Sequence, residues 1–358
     1  MKAIVVTPGQ AGTGRVQEVP TPEPRAGQVL VEVLDVGVCG TDLEILHGLY
    51  GEAPPGDDYL ILGHENFGRI VSAPEGCGVE AGDSVVCTVR RPDPAPCPTC
   101  RAGQQDMCLN GLYTERGIKG HHGFMAEYYV EVPEYLVKLD SSLDDVGVLI
   151  EPLSVVEKGI EQAESLQRRL AWHPQEAVVT GAGPIGLMAT MLLRSHGWDV
   201  WTLDIVPPDS LRAQLVTACG AQYVKGDEES LTDLAKRIPP IDLVVEATAV
   251  PQLVFEAITA VGSNGVVCLT GVSASHRTLQ VPADALNLDM VLANKVVFGT
   301  VNANRHHYEM AARDLVMFNA LWPGLTKQVV TRRVPVDEYE TALEPRPGVD
   351  VKSAVTFR

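Results

Sequence analysis

The stretch Ala177-Val178-Val179-Thr180-Gly181-Ala182-Gly183-Pro184-Ile185-Gly186 restricts this chain more than any other. A short strand candidate runs into a GxGxxG turn, and an apolar run then continues to Leu193. A strand that ends in glycines and reopens as a helix leaves backbone N–H groups at the helix N-terminus, where they can bind a pyrophosphate. Asp204 ends the next strand candidate, Asp199–Asp204, 18 residues after Gly186. A carboxylate so placed accepts hydrogen bonds from an adenosine ribose diol. Further strand candidates lie at Ile241–Glu246, Gly265–Leu269 and Lys295–Phe298, separated by helix-length stretches. Alternating β and α segments of this kind make a doubly wound parallel sheet, the Rossmann arrangement. The candidate dinucleotide contacts are Gly181, Gly183, Pro184, Ile185, Gly186, Asp204, Thr248, Gly271, Val272 and Asn302. A carboxylate at 204 repels a 2′-phosphate, and Ile205-Val206-Pro207-Pro208 supplies no arginine to receive one. NAD is therefore expected ahead of NADP, with NADP possible.

The flanking sequence has another rhythm. Gln28–Val33, Ser84–Val89 and Tyr128–Val132 alternate with period two and are broken by Gly and Pro, the mark of a β-barrel or sandwich. After residue 304 a helix is expected, then strands at Gln328–Thr331 and Ser353–Phe357. The division that this rhythm suggests is a β-rich unit at residues 1–155, the dinucleotide-binding domain at 156–303 and a return to helix and strand at 304–358. A formal net charge of −18 argues against a nucleic-acid or anionic-membrane partner. No apolar run reaches the roughly 18 residues that a membrane span needs, and the first residues carry no signal-peptide pattern, so a cytoplasmic location is expected. Eight cysteines in such a chain read as metal ligands or small buried side chains rather than as a disulfide framework.

His64-Glu65, between Gly63 and Gly68, belongs with Cys39-Gly40-Thr41-Asp42 upstream and Glu151-Pro152-Leu153 downstream. A thiolate, an imidazole and carboxylates form an acceptable zinc set, and a catalytic zinc keeps one position open for water or substrate. On these stretches, and on Arg90-Arg91-Pro92, Glu115-Arg116-Gly117-Ile118 and Val301-Asn302, the chain resembles the zinc-dependent medium-chain dehydrogenases, and within them the glucose (aldose) 1-dehydrogenase branch. The resemblance covers essentially the whole length and implies a GroES-like β-rich catalytic domain, made from both chain ends, with a Rossmann domain between.

It also implies roles. Cys39 and His64 resemble direct zinc ligands, and Glu65 and Glu151 the carboxylates that complete or exchange within the shell. Thr41 matches the hydroxyl that passes the substrate proton outward, with Glu44 at the next relay position and His47 three residues on. Thr41, His64, Glu115, Glu151 and Asn302 match the residues that hold the sugar, whereas Val89 and Val155 replace polar readers found in some relatives. Cys97, Cys100 and Cys108 match three of the four cysteines of a structural zinc lobe; Pro94 stands in the place of the fourth, with Asp93 beside it as a substitute ligand. His121-His122 and His306-His307 have no metal-ligand spacing and read as loop or surface residues. The expected activity is oxidation of an aldose, D-glucose foremost, at C1 to the lactone, with a small-molecule sugar partner and a homo-oligomeric enzyme, dimer or tetramer. A polyol or secondary-alcohol dehydrogenase shares every zinc and NAD feature; a non-catalytic NAD-binding protein would be expected to have lost Cys39 or His64.

Overall fold

In the strand Val29–Gly37, Val29, Val31 and Val33 are buried while Glu32 faces solvent. This is the period-two pattern of a sheet with one wet face, and it lapses at Asp35–Gly37, where all three residues are buried. The strand is the hub of a seven-stranded sheet, pairing with Glu65–Ser72, Tyr128–Glu131 and the C-terminal strand Lys352–Thr356. Gly37 pairs with Glu65 on one side and with Ala354 on the other, so the two chain ends and the His64-Glu65 segment meet in one sheet. The computed structural model describes residues 1–272, 278–344, 346 and 348–358.

Residues 176–299 form a second, six-stranded parallel sheet. Across it the order is Gln222–Lys225, Asp199–Asp204, Glu176–Thr180, Leu243–Glu246, Val266–Leu269 and Val296–Gly299. The strand order reverses beside Glu176–Thr180, which opens a crevice at its C-terminal end, where ligands of such sheets bind. The strand bounds differ from the expected ones by one or two residues.

The helix Ile150–Gln167 ties the two sheets together. Leu153, Val156, Ile160 and Ala163 form its buried stripe, the spacing of a helix with one apolar face. It packs against Arg305–Leu321 and Pro184–Ser195, and one apolar cluster runs from Phe67 and Val86 through this helix to Val179, Leu243 and Ala354. One expectation fails locally: Gln328–Thr331 is not a strand throughout. Leu325–Val329 is helical and the strand begins at Val330, because Leu325, Thr326 and Val329 bury one helical face against neighbouring helices, and packing overrides the β preference of Val and Thr.

Candidate active site and metal centre

The donor atoms of Cys39, His64 and Glu65 all lie within 4.8 Å of one another. Cys39 is the N-cap of the helix Gly40–Leu46, where its backbone N–H donates to Asp42 Oδ2 at 2.9 Å. The other oxygen of Asp42 is 3.6 Å from His64 Nδ1, with both side chains buried. At this distance the two atoms face each other without a hydrogen bond, and both are buried with no other partner among the described residues. Burial opposes charge on His64, yet Asp42 and Cys39 together lift its pKa well above the usual range. Glu65 lies across Gly37, where any Cβ would strike its carboxylate, and both its oxygens accept from Lys352 Nζ, at 2.6 and 2.5 Å. A thiol, an imidazole and a carboxylate at this spacing are donors that tetrahedral zinc accepts, so the residues fit the metal.

Glu151 lies outside the three-donor group, at the start of the linking helix. Burial, helped by Glu65, pushes its pKa up to about 7 against the pull of His64 and Lys352. Thr41 Oγ1 is 4.0 Å from Cys39 Sγ. Glu44 is half-buried one turn further along the same helix, and His47 caps that helix and is exposed. Glu115 is buried and accepts at Oε1 from Arg90 Nε and Nη2, at 3.0 and 2.8 Å, and from Asn302 Nδ2 at 3.0 Å. Two expected sugar readers are thus bonded to each other. Among the described residues these bonds all end on Oε1, which leaves Oε2 for a ligand.

The glycine turn has the geometry its spacing predicts. Gly181 has φ +90, Gly186 has no room for a Cβ against Gly181 O, and around Gly183 there is open space. Gly183 caps the helix Pro184–Ser195, with Pro184 as its first residue and Ile185 following. Asp204 Oδ2 accepts from Ala182 N at 2.5 Å and Oδ1 from Ile205 N at 2.6 Å, so the carboxylate braces the turn it was expected to complement. Arg212 spends its guanidinium on Asp350 O, at 3.1 and 2.8 Å. Thr248 donates its N–H to the buried Glu246 carboxylate at 2.8 Å. Gly271 is pressed against Ala249, and Gly271 and Val272 line a cavity of about 320 Å³ that also reaches Lys158 and Val301.

The thiols of Cys97, Cys100 and Cys108 lie within 4.8 Å of one another. A hydrogen bond from Thr99 and backbone N–H groups bring the Cys97 pKa down to about 6, and burial pushes that of Cys100 up to about 11. Asp93 is not part of this group: it accepts from Ala95 N at 2.7 Å and Asn110 Nδ2 at 2.5 Å, bonds that pin the loop where the fourth cysteine would stand. The histidine pairs are a correction. His307 is buried, 2.8 Å from Glu161, and His122 is held between Asp57, at 3.1 Å, and Ile61 N, at 3.2 Å. Both are tied into the fold rather than free on the surface; His306 is exposed.

Residues 144–357 match the family described as glucose dehydrogenase C-terminus, and residues 25–141 the alcohol dehydrogenase GroES-like domain. The glucose 1-dehydrogenase of Methanocella arvoryzae is 48% identical over 96% of both chains. This chain belongs to the glucose dehydrogenase branch of the zinc-dependent medium-chain dehydrogenases. The dehydrogenase is 43% identical to the glucose 1-dehydrogenase of Thermoproteus tenax, over 96% of this chain and 95% of that one. Haloferax mediterranei glucose dehydrogenase, solved in complex with NADP, Zn and gluconolactone, superposes with a TM-score of 0.91 at 35% identity, covering 100% of this chain and 99% of that one.

Sequence reasoning gave no role to several residues of this dehydrogenase. Lys352 stands 287 positions from Glu65, and no local pattern could have joined them. Asp42 was in view beside Cys39, and its place two residues into a helix was the available signal. Arg90 belongs to the Arg90-Arg91-Pro92 stretch, but its bond to Glu115 depends on the pairing of Arg90–Arg91 with Thr114–Arg116.

Proposed function

We propose that the protein oxidises an aldose at C1, with D-glucose the leading substrate, to the lactone, with hydride transfer to NAD in preference to NADP. The observation that carries this reading is the group of half-buried Cys39 with buried His64 and Glu65, set in the same sheet-and-helix framework as the Arg90–Glu115–Asn302 cluster. Support for the sugar and the zinc comes from the Haloferax relative, which holds gluconolactone, NADP and Zn and aligns along this entire chain; the preference for NAD rests on Asp204, whose carboxylate would repel a 2′-phosphate. Cys39, His64 and Glu65 would hold the zinc, with Glu151 able to exchange into the shell. When bound, zinc supplies a Lewis acid that stabilises negative charge developing on the reacting oxygen. Thr41 receives the hydroxyl proton, and Glu44 is the next group outward along the same helix. Asp42 faces Nδ1 of the His64 ring, and Lys352 holds the Glu65 carboxylate in place through both its oxygens. Glu115 Oε2 accepts from sugar hydroxyls, while Asn302 and Arg90 fix the carboxylate from its other side. The three thiols of the 97–108 lobe would hold a second zinc with one position open to a ligand other than Asp93.

A homo-oligomer is part of this proposal. The helix Ala283–Leu292 has no buried residue, and its Leu288, Val291 and Leu292 are exposed beside the sheet-edge strand Val296–Gly299. An apolar face and an open sheet edge together suit a second copy of the chain. Eight free cysteines accord with a reducing, cytoplasmic setting; no helix among the described residues is long and apolar enough to cross a membrane.

The test is NAD reduction across aldoses, polyols and simple alcohols, with Glu115→Ala alongside the parent. Aldoses should lead, and Glu115→Ala should lower kcat/KM for glucose by on the order of tenfold or more per lost bond, since a charge-assisted hydrogen bond contributes about 1.5–3 kcal/mol. Polyols outrunning every aldose, or a Glu115→Ala protein that handles glucose as the parent does, would sink the reading.

A further inference from the structure

The cavity of about 320 Å³ lies outside the C-terminal ends of Val266–Leu269 and Val296–Gly299, with Gly271, Val272 and Val301 on one wall and Asp106, Met107 and Lys158 on the other. A buried ion pair lies in the second wall, and its lysine reaches across to the first. Lys158, on the linking helix, reaches Asp106 Oδ2 at 2.8 Å, with each side chain only 1% exposed. The same ammonium donates to Val301 O at 3.0 Å. Asp106 in turn accepts at Oδ1 from Asn304 Nδ2 at 3.1 Å, and its backbone carbonyl accepts from Arg90 Nη1 at 2.8 Å.

The segment 301–304 is where the chain leaves the parallel sheet for the helix Arg305–Leu321. Asn302 within it holds a left-handed backbone, φ +60, a conformation uncommon outside glycine that asparagine tolerates better than most residues. Its surroundings are a bond to Val301 O from Lys158, a bond from Asn302 itself to Glu115, and a bond from Asn304 to Asp106. A lysine and an aspartate buried this deeply are expensive to desolvate, and a well-packed apolar pair of similar volume usually serves stability as well. Packing therefore does not explain the pair, whereas its position at the mouth of a ligand-sized cavity does.

We infer that Lys158 and Asp106 are positioning residues for the dinucleotide: together they set the 301–304 segment, and so the cavity wall against which the nicotinamide end of the cofactor lies. This rests on the dehydrogenase reading above. Asp106 also stands two residues before Cys108, so the thiol lobe and the cofactor wall share one ion pair.

The experiment is direct titration of the zinc-loaded protein with NADH, followed by nicotinamide fluorescence without sugar. The double variant Lys158→Met/Asp106→Leu removes both charges and leaves neither partner alone in the core. The expected result is an NADH Kd raised about tenfold, with the melting temperature close to that of the parent. An unchanged Kd in the folded double variant overturns the inference, as does a fall in melting temperature without a change in Kd, the mark of a merely structural pair. If the double variant does not fold, Asn304→Ser carries the test, because serine can still cap the helix at His306 N while it gives up the bond to Asp106 Oδ1 and leaves the ion pair in place. A Kd raised about threefold then supports the inference, and an unchanged Kd refutes it. A parent protein that binds no NADH at all would instead refute the dehydrogenase reading.

Discussion

Replacing Lys352 by Met should damage this protein more than the loss of a surface lysine could. The ammonium uses its three protons on Glu65 Oε1, Glu65 Oε2 and Val38 O, at 2.6, 2.5 and 3.1 Å. Both side chains of the ion pair are 2% exposed, so no water replaces what is lost. Methionine fills a similar volume, which isolates the electrostatic effect from a cavity. What remains is a buried carboxylate with no counter-charge, beside Glu151, whose own burial already disfavours ionisation. Breaking a buried pair in this way costs about 3–5 kcal/mol. At roughly 2–4 °C per kcal/mol for domains of this size, the melting temperature should fall by on the order of 10 °C. Thermal and urea unfolding of metal-free parent and variant, stripped with a chelator so that no bound cation faces Glu65, measure this. Adding Glu65→Gln to Lys352→Met removes the stranded charge and should recover most of the lost stability, while activity stays low because a metal ligand is gone. A Lys352→Met protein within about 0.5 kcal/mol of the parent, or a double variant no more stable than the single one, would refute the reasoning.

Cys39→Ala should abolish most turnover while far-UV circular dichroism and the melting temperature stay close to the parent, since a catalytic zinc is not required to hold the core; an unchanged kcat would rule out the assigned ligand. Asp204→Ala should raise the NAD Kd and narrow discrimination against NADP, read as the ratio of kcat/KM values; a wild-type enzyme faster with NADP would overturn the role of Asp204. Burial, and then the neighbouring Asp314 carboxyl, push the pKa of Glu157 up to about 9 from the usual 4.5. A raised carboxyl pKa contributes stability that is fully present below about 4.5 and is lost as pH rises through about 9, by at most roughly 1.4 kcal/mol per pH unit. Glu157→Gln should therefore be more stable than the parent at pH 8 and lose that advantage at pH 5; unfolding curves at the two pH values that differ equally would show the proton is not held there.

The dinucleotide half of the protein was legible in sequence because its determinants are local. A strand, three glycines, a helix and an aspartate lie within 30 residues, and two of the glycines answer a local steric demand: Gly181 by its positive φ, Gly186 by Gly181 O. The His64-Glu65 and Cys39 positions stood out by their resemblance to the family's zinc site, and the fold brings their donor atoms together. What the three-dimensional fold alone decided are the partners. Lys352 on Glu65, Arg90 on Glu115, Lys158 on Asp106 and Glu161 on His307 join positions from 25 to 287 residues apart, and each bond exists because sheet register or helix packing brings two buried polar groups together. A buried charge must find its counter-charge wherever the fold supplies one. The same holds for Asp93, whose sequence position suited a metal but whose oxygens Ala95 and Asn110 had already taken. Sequence named the groups that do chemistry; tertiary structure chose the groups that hold them in place, because hydrogen-bond geometry acts across space and leaves no period along the chain.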